Sequence, residues 1–134
     1  MISSKIIKIA SFTNNSGLKN KFTHKSSIKN SLCGDLIRVE FIADKLKIKS
    51  MRYETESCIL CEASASLLSR KIKNIKINYL KKEIKKLIKV NKNLNYKFPK
   101  KLIEFKELIN AKNTNRINCV ILPMEAFLKA FKMN

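Results

Sequence analysis

Four cysteines, with an aspartate two residues after the first, carry the chemistry most readily available to this chain of 134 residues. Cys33-Gly34-Asp35 stands just ahead of an alternating apolar run. Cys58 lies where such a run gives way to a helical pattern, and Cys119 opens the last amphipathic stretch. Each of the three lies at an element boundary, where loops approach other loops. Cys58 and Cys119 would sit near helix N-termini, where backbone N–H groups and the helix dipole favour thiolate over thiol. Gly34 lets the backbone beside Cys33 approach closely or take a positive φ. Three thiolates and one carboxylate, from Cys33, Cys58, Cys119 and Asp35, suit either a tetrahedral zinc ion or a 2Fe–2S cluster. A carboxylate is a harder and weaker partner for such a cluster than thiolate, so Asp35 favours release over permanent storage.

The fourth cysteine and the single histidine read differently. Cys58-x-x-Cys61 has the spacing of a redox pair or half a zinc finger, but no βαβ pattern surrounds it and no second such pair completes a zinc module. Cys61, one helical turn beyond Cys58, is read as a packing residue, with a spare ligand as the alternative. His24 lies in a lysine-rich stretch and is read as a solvated polar residue, not a ligand. Arg116 either stabilises thiolate charge near Cys119 or is a surface arginine. Without a secretory signal, four cysteines do not make a disulfide framework.

The elements that must position these residues follow from the apolar spacing. Ile37, Val39 and Phe41 alternate with Arg38 and Glu40, a strand with one buried face. Ala43-Asp44 is a tight connection to a second alternating run, Leu46 and Ile48, which changes parity at Ser50 to Met51 and Tyr53, as a bulge would make it do. Ser57 is the expected N-cap of a helix from Cys58 to Lys73, with Leu60, Ala63, Ser64, Leu67 and Leu68 on one face. Asn78 is expected to cap another helix, with Leu80, Ile84, Leu87 and Ile88 buried and lysines outside. Residues 91–99 form a connector, and Leu102, Phe105, Leu108 and Ile109 a short amphipathic helix. Residues 111–115 form a polar loop. A last helix begins about Val120 with Pro123 in its first turn. The order is α+β: a small antiparallel sheet of two to three strands against about four to five helices. Residues 1–134 are read as one domain, of which 1–13 are a poorly patterned extension ahead of the turn Asn14-Asn15-Ser16-Gly17.

Composition narrows the function classes. The net charge is +19, which invites a nucleic-acid reading. Yet lysine far exceeds arginine, and Arg38, Arg52, Arg70 and Arg116 are well separated, whereas phosphate recognition draws heavily on the planar fork of arginine. No aromatic RNA-binding motif or helix-turn-helix is visible, so compositional drift is preferred and no specific nucleic acid is expected. Six of the ten acids lie between Asp35 and Glu62, a stretch with five basic residues, so the region around Cys58 has escaped the drift. No apolar run is long enough to span a membrane, and no secretory leader is evident. Met1 to Gly34 has lysines and serines and no acid, as an organellar presequence would, but the start of the domain near Asn14 leaves little room for one. The reading is cytoplasmic.

With these motifs in place, the sequence resembles the IscU/SufU/NifU N-terminal scaffold family. The resemblance rests on Ser31-Leu32-Cys33-Gly34-Asp35-Leu36, on Cys58-Ile59-Leu60-Cys61-Glu62-Ala63-Ser64-Ala65-Ser66-Leu67-Leu68, and on Arg116-Ile117-Asn118-Cys119-Val120-Ile121-Leu122. They occur in the family's order over roughly Asn14 to Phe131. The chain differs from the family pattern in having Glu54-Thr55-Glu56-Ser57 in place of a glycine-rich approach to the second cysteine. It has Asn118 in place of a histidine, and Asn113-Thr114-Asn115 in place of a proline-rich segment; Arg116 is spaced as on the SufU side. The resemblance implies a non-enzymatic iron–sulfur cluster assembly scaffold with Cys33, Cys58 and Cys119 as ligands and sulfur acceptors and Asp35 keeping the cluster labile. Its implied partners are a cysteine desulfurase, an iron donor and apo iron–sulfur proteins, with zinc in the site as isolated. The rivals are a zinc-binding homologue without scaffold activity and a basic nucleic-acid-binding protein.

Overall fold

The computed structural model describes residues 3–30, 34–90, 97–109 and 117–132. Helix α1 (Ser4–Ala10) is followed by strands β1 (His24–Lys29), β2 (Leu36–Ala43) and β3 (Ile48–Glu56), then helices α2 (Ile59–Lys71) and α3 (Ile77–Val90), a 3-10 helix (Lys100–Glu107) and helix α4 (Ile117–Ala130). The strands form one antiparallel sheet in the order β1-β2-β3. Among the described residues no helix is long and apolar enough to cross a membrane.

The alternation in β2 does what period two requires. Ile37, Val39 and Phe41 point into the core, and the register sets Val39 opposite Tyr53 and Phe41 opposite Met51. The register breaks where Ile42 faces Ser50 and Ala43 faces Ile48, so the extra residue is Lys49, one position before the expected Ser50. Leu46 departs from the expectation: it is exposed in the turn, while Ile48 is buried.

Helix α2 is buried almost all round, because Ala63, Ser64, Ala65, Ser66 and Ser69 let α1, α4 and the sheet approach it closely. Its buried serines are all engaged. Ser64 Oγ donates to the Val120 carbonyl, Ser66 Oγ to the Phe12 carbonyl, and Ser69 Oγ to that of Ser66. These bonds fix α4 and the end of α1 against α2. On the other side of α4, Phe127 and Phe131 meet Phe41 edge-on at 5.6 and 5.2 Å between ring centroids.

Several expectations need correction. The N-terminal region is an element of the core: Ser3 caps α1 through its side chain, and Ile6 and Ala10 are buried. His24 begins β1, is only partly exposed and stacks on Phe131 at 4.1 Å, so it is not a freely solvated residue. Helix α3 begins at Ile77, ahead of Asn78. Its first N–H donates to the Leu46 carbonyl at 2.8 Å, which does the work expected of a capping side chain. Of its apolar stripe Leu80, Ile84 and Leu87 are buried and Ile88 partly so. The expected short helix is a 3-10 helix with Leu102 and Phe105 buried, and Leu108 and Ile109 buried just beyond it. Helix α4 begins three residues early, at Ile117, so Pro123 lies inside it, past the first turn. Pro123 has no N–H for the carbonyl four residues back, and the burial of Val120, Leu122 and Phe127 carries the helix through. The polar loop 111–115 and most of the connector 91–99 lie outside the described residues.

Candidate metal centre

Three elements bring their ends together at one edge of the sheet. The hairpin between β1 and β2 is closed by Asn30 and Asp35, whose backbones bond at 2.7 Å, and by Gly34, whose N–H donates to the Asn30 carbonyl at 2.7 Å. Gly34 has φ +74°, a conformation that a side chain would strain, which accounts for glycine beside Asp35. Leu36 pairs with Glu56 across the sheet, and this register carries Asp35 alongside the start of α2.

Cys58, not Ser57, occupies the N-cap of α2. Its side chain makes no capping hydrogen bond and turns instead to Cys119, while Ser57 Oγ donates to the Cys58 carbonyl. The Cys58 N–H donates to Asp35 Oδ1 at 3.3 Å. Cys119 is the third residue of α4, held over this point by the Ser64 bond to the adjacent Val120. A carboxylate oxygen of Asp35 and the sulfurs of Cys58 and Cys119 all lie within 4.8 Å of one another. Asp35 and Cys119 are buried and Cys58 is partly exposed, so the cluster has one open side. Asp35 Oδ2 is buried with no hydrogen-bond partner among the described residues, so a desolvated acceptor stands beside the two sulfurs.

The charge state of Cys119 departs from the sequence expectation. Its position in the first turn of a helix favours thiolate, but burial pushes the thiol well above the usual cysteine range, and Cys58 and Asp35 beside it push it further. Desolvation and neighbouring negative groups outweigh the helix dipole here. A metal cation would reverse the balance, and its binding would release the proton.

Of the sequence candidates, the structure thus brings Asp35, Cys58 and Cys119 together. Cys33 and Arg116 lie outside the described residues. Cys61 is fully buried in the core, as packing requires, and is not part of the cluster of donor atoms. The residues that sequence reasoning passed over are Ser64, which locks the two helices at the site, and Asn30, which closes the hairpin. Their only sequence signal was a small polar residue on an apolar helix face and an asparagine before a Cys-Gly turn.

Comparison with known proteins finds the same fold. The chain superposes on the N-terminal part of a nitrogen-fixing NifU-like protein from Brucella abortus with a TM-score of 0.87 at 15% identity, covering 97% of this chain and 91% of that one. It also superposes on a putative iron–sulfur cluster assembly scaffold protein for the SUF system from Fervidobacterium islandicum, with a TM-score of 0.76 at 21% identity, covering 96% and 95%. No curated protein matches the sequence. The profile of the NifU-like N terminal domain matches residues 1–130, nearly the whole chain. The protein belongs to the NifU-like N terminal domain family.

Proposed function

We propose that this protein is an iron–sulfur cluster assembly scaffold, which receives iron and sulfur, holds a labile cluster on Cys33, Cys58, Cys119 and Asp35, and passes it to apo-proteins. The observation that supports the reading is the approach of the Asp35 carboxylate to the Cys58 and Cys119 sulfurs within 4.8 Å, in a member of this family. Soft thiolates hold iron and sulfide strongly, whereas the carboxylate is a hard donor that lets go more readily. The Cys58 N–H that holds Asp35 Oδ1 leaves Oδ2 to meet the metal, so the oxygen ligand is oriented before the cargo arrives. Under this proposal Cys33, two residues before Asp35 in the sequence, supplies the remaining thiolate. In this reading the protein is a carrier and not an enzyme. A cysteine desulfurase is the source of sulfur, an iron donor supplies the metal, and apo iron–sulfur proteins receive the product.

Anaerobic incubation with iron, cysteine and a cysteine desulfurase tests the reading. Visible absorption and acid-labile sulfide should appear together and then move to an added apo-ferredoxin. A wild-type protein that never forms the chromophore under these conditions sinks it. Replacing Asp35 by alanine should give a cluster that survives longer and transfers about tenfold more slowly, because the exchange-prone oxygen ligand is gone. Equal transfer rates for the two proteins would remove Asp35 from the site.

Zinc fits the same donors. Protein isolated in air is expected to carry about one zinc per chain by native mass spectrometry, with its thiols shielded from alkylation. A metal-free protein that takes up no zinc would count against a shared site.

A further inference from the structure

The end of the sheet remote from the cysteines carries a second surface. Asp35 and Asp44 flank β2 at its two ends, roughly 30 Å apart at about 3.3 Å per residue. At the Asp44 end a cleft of about 570 Å³ opens between the β2–β3 turn and the start of α3. Ala43 and Ile77 line it, and Leu46 and Tyr79 stand at it with 70% and 43% of their surface exposed. Lys45, Lys76 and Lys81 line the same cleft, and among the described residues none of them forms an ion pair. Across Tyr79 and Lys76 the surface continues into a second cleft of about 400 Å³, where Lys47, Lys100 and Lys101 add charge and no acid lies among the described lining residues.

The backbone of the exposed leucine is tied down on both sides. Asp44 Oδ1 accepts the N–H groups of Leu46 and Lys47 at 2.8 and 2.7 Å, and its other oxygen meets Lys49 Nζ at 3.5 Å. Those backbone donors hold the Asp44 carboxyl below its ordinary range, so the turn stays charged and closed at neutral pH. The Leu46 carbonyl accepts from Ile77 N–H, and Ile48 N–H donates to the Ile75 carbonyl at 3.0 Å, which ties the turn to the α2–α3 connection. With its backbone already ordered, only the Leu46 side chain has freedom to lose when a partner covers it.

We propose that this face docks a protein segment that is acidic and carries an apolar anchor, with the anchor against Leu46 and Tyr79 and its carboxylates on Lys45, Lys76 and Lys81. Charge complementarity selects the occupant. Among the described residues the only acid lining the two clefts is Asp44, already engaged by its own turn and Lys49, whereas the cleft near Arg70 contains both Glu104 and Glu107. An exposed apolar centre with a charged rim is the usual layout of a protein interface. Single-stranded nucleic acid needs a succession of free stacking rings, whereas of the two rings lining this cleft His24 is already stacked on Phe131 and Tyr79 stands beside an aliphatic side chain. A second copy of a chain with net charge +19 would bring like charges together. The site lies far enough from Cys58 and Cys119 for a partner to hold the protein while the metal centre remains open, and the inference stands independently of what that centre carries.

The test is a titration of the whole protein, followed by amide NMR shifts, with a synthetic glutamate-rich peptide bearing two leucines on one helical face. The shifts should gather on Leu46, Lys47 and Ile77 and spare Asp35 and Cys58. Leu46→Ser and Lys76→Glu, both exposed positions, should each weaken binding about tenfold, and so should replacing the peptide's leucines by serine. Circular dichroism checks that the variants fold. The proposal is overturned if the peptide does not bind, if the leucine-free peptide binds equally well, if oligouridylate binds this face more tightly, or if Leu46 proves to mediate self-association.

Discussion

Cys58→Ser and Cys119→Ser are expected to lower metal affinity by more than about a hundredfold and to abolish cluster assembly, while Cys61→Ser retains both. The contrast follows from placement. The sulfurs of Cys58 and Cys119 lie within 4.8 Å of an Asp35 oxygen, whereas Cys61, only one turn on from Cys58, is fully buried in the core. Serine offers a hard hydroxyl that is not ionised at neutral pH in place of a soft thiolate, and losing a direct ligand should exceed the roughly 10- to 100-fold cost of losing an outer partner. Cys33→Ser is expected to behave as Cys58→Ser does. Metal content by mass spectrometry and the chromophore formed anaerobically provide two readouts. An essential Cys61 beside a dispensable Cys119 would require a different ligand set and point to a redox pair instead.

Phe127→Ala should destabilise the fold by about 3–5 kcal/mol, most of the stability available to a domain of this size. Phe127 is fully buried, meets Phe41 edge-on at 5.6 Å and packs on Phe131 at 4.9 Å, so its loss opens a cavity between α4 and the sheet. Because α4 also carries Cys119, the variant should lose metal in step with structure. Ile103→Ala, at a position 42% exposed, should change stability by less than about 1 kcal/mol. Urea unfolding compares the two, and a shift in midpoint at constant slope identifies a true change in stability. Equal effects of the two substitutions would mean that α4 is not packed as described.

Local pattern determined much of this protein. Strand β2 was legible because every second residue from Ile37 to Phe41 is apolar, and α3 because Leu80, Ile84 and Leu87 recur at helical spacing among lysines. The boundary positions of Cys58 and Cys119, and of Asp35 after a glycine, likewise came from spacing alone. Tertiary structure decided the rest. Strand β1 reads HKSSIK and shows little apolar alternation, because its partly buried positions are filled by His24 stacked on Phe131 and by Ser26 bonded to the Ala126 carbonyl. Those partners are about a hundred residues away in the chain, beyond any local window. Helix α1 is seven residues long and buries Ile6 and Ala10, too few positions to establish a period. Leu46 looked like the inward member of an alternating pair, but Asp44 and the Ile77 N–H capture its backbone in a turn and leave its side chain outside. The spacing placed Cys119 near a helix N-terminus, which favours thiolate. Only packing revealed that burial, with Cys58 and Asp35 beside it, pushes the Cys119 thiol above the usual cysteine range, because desolvation depends on what surrounds a group and not on its neighbours in the chain.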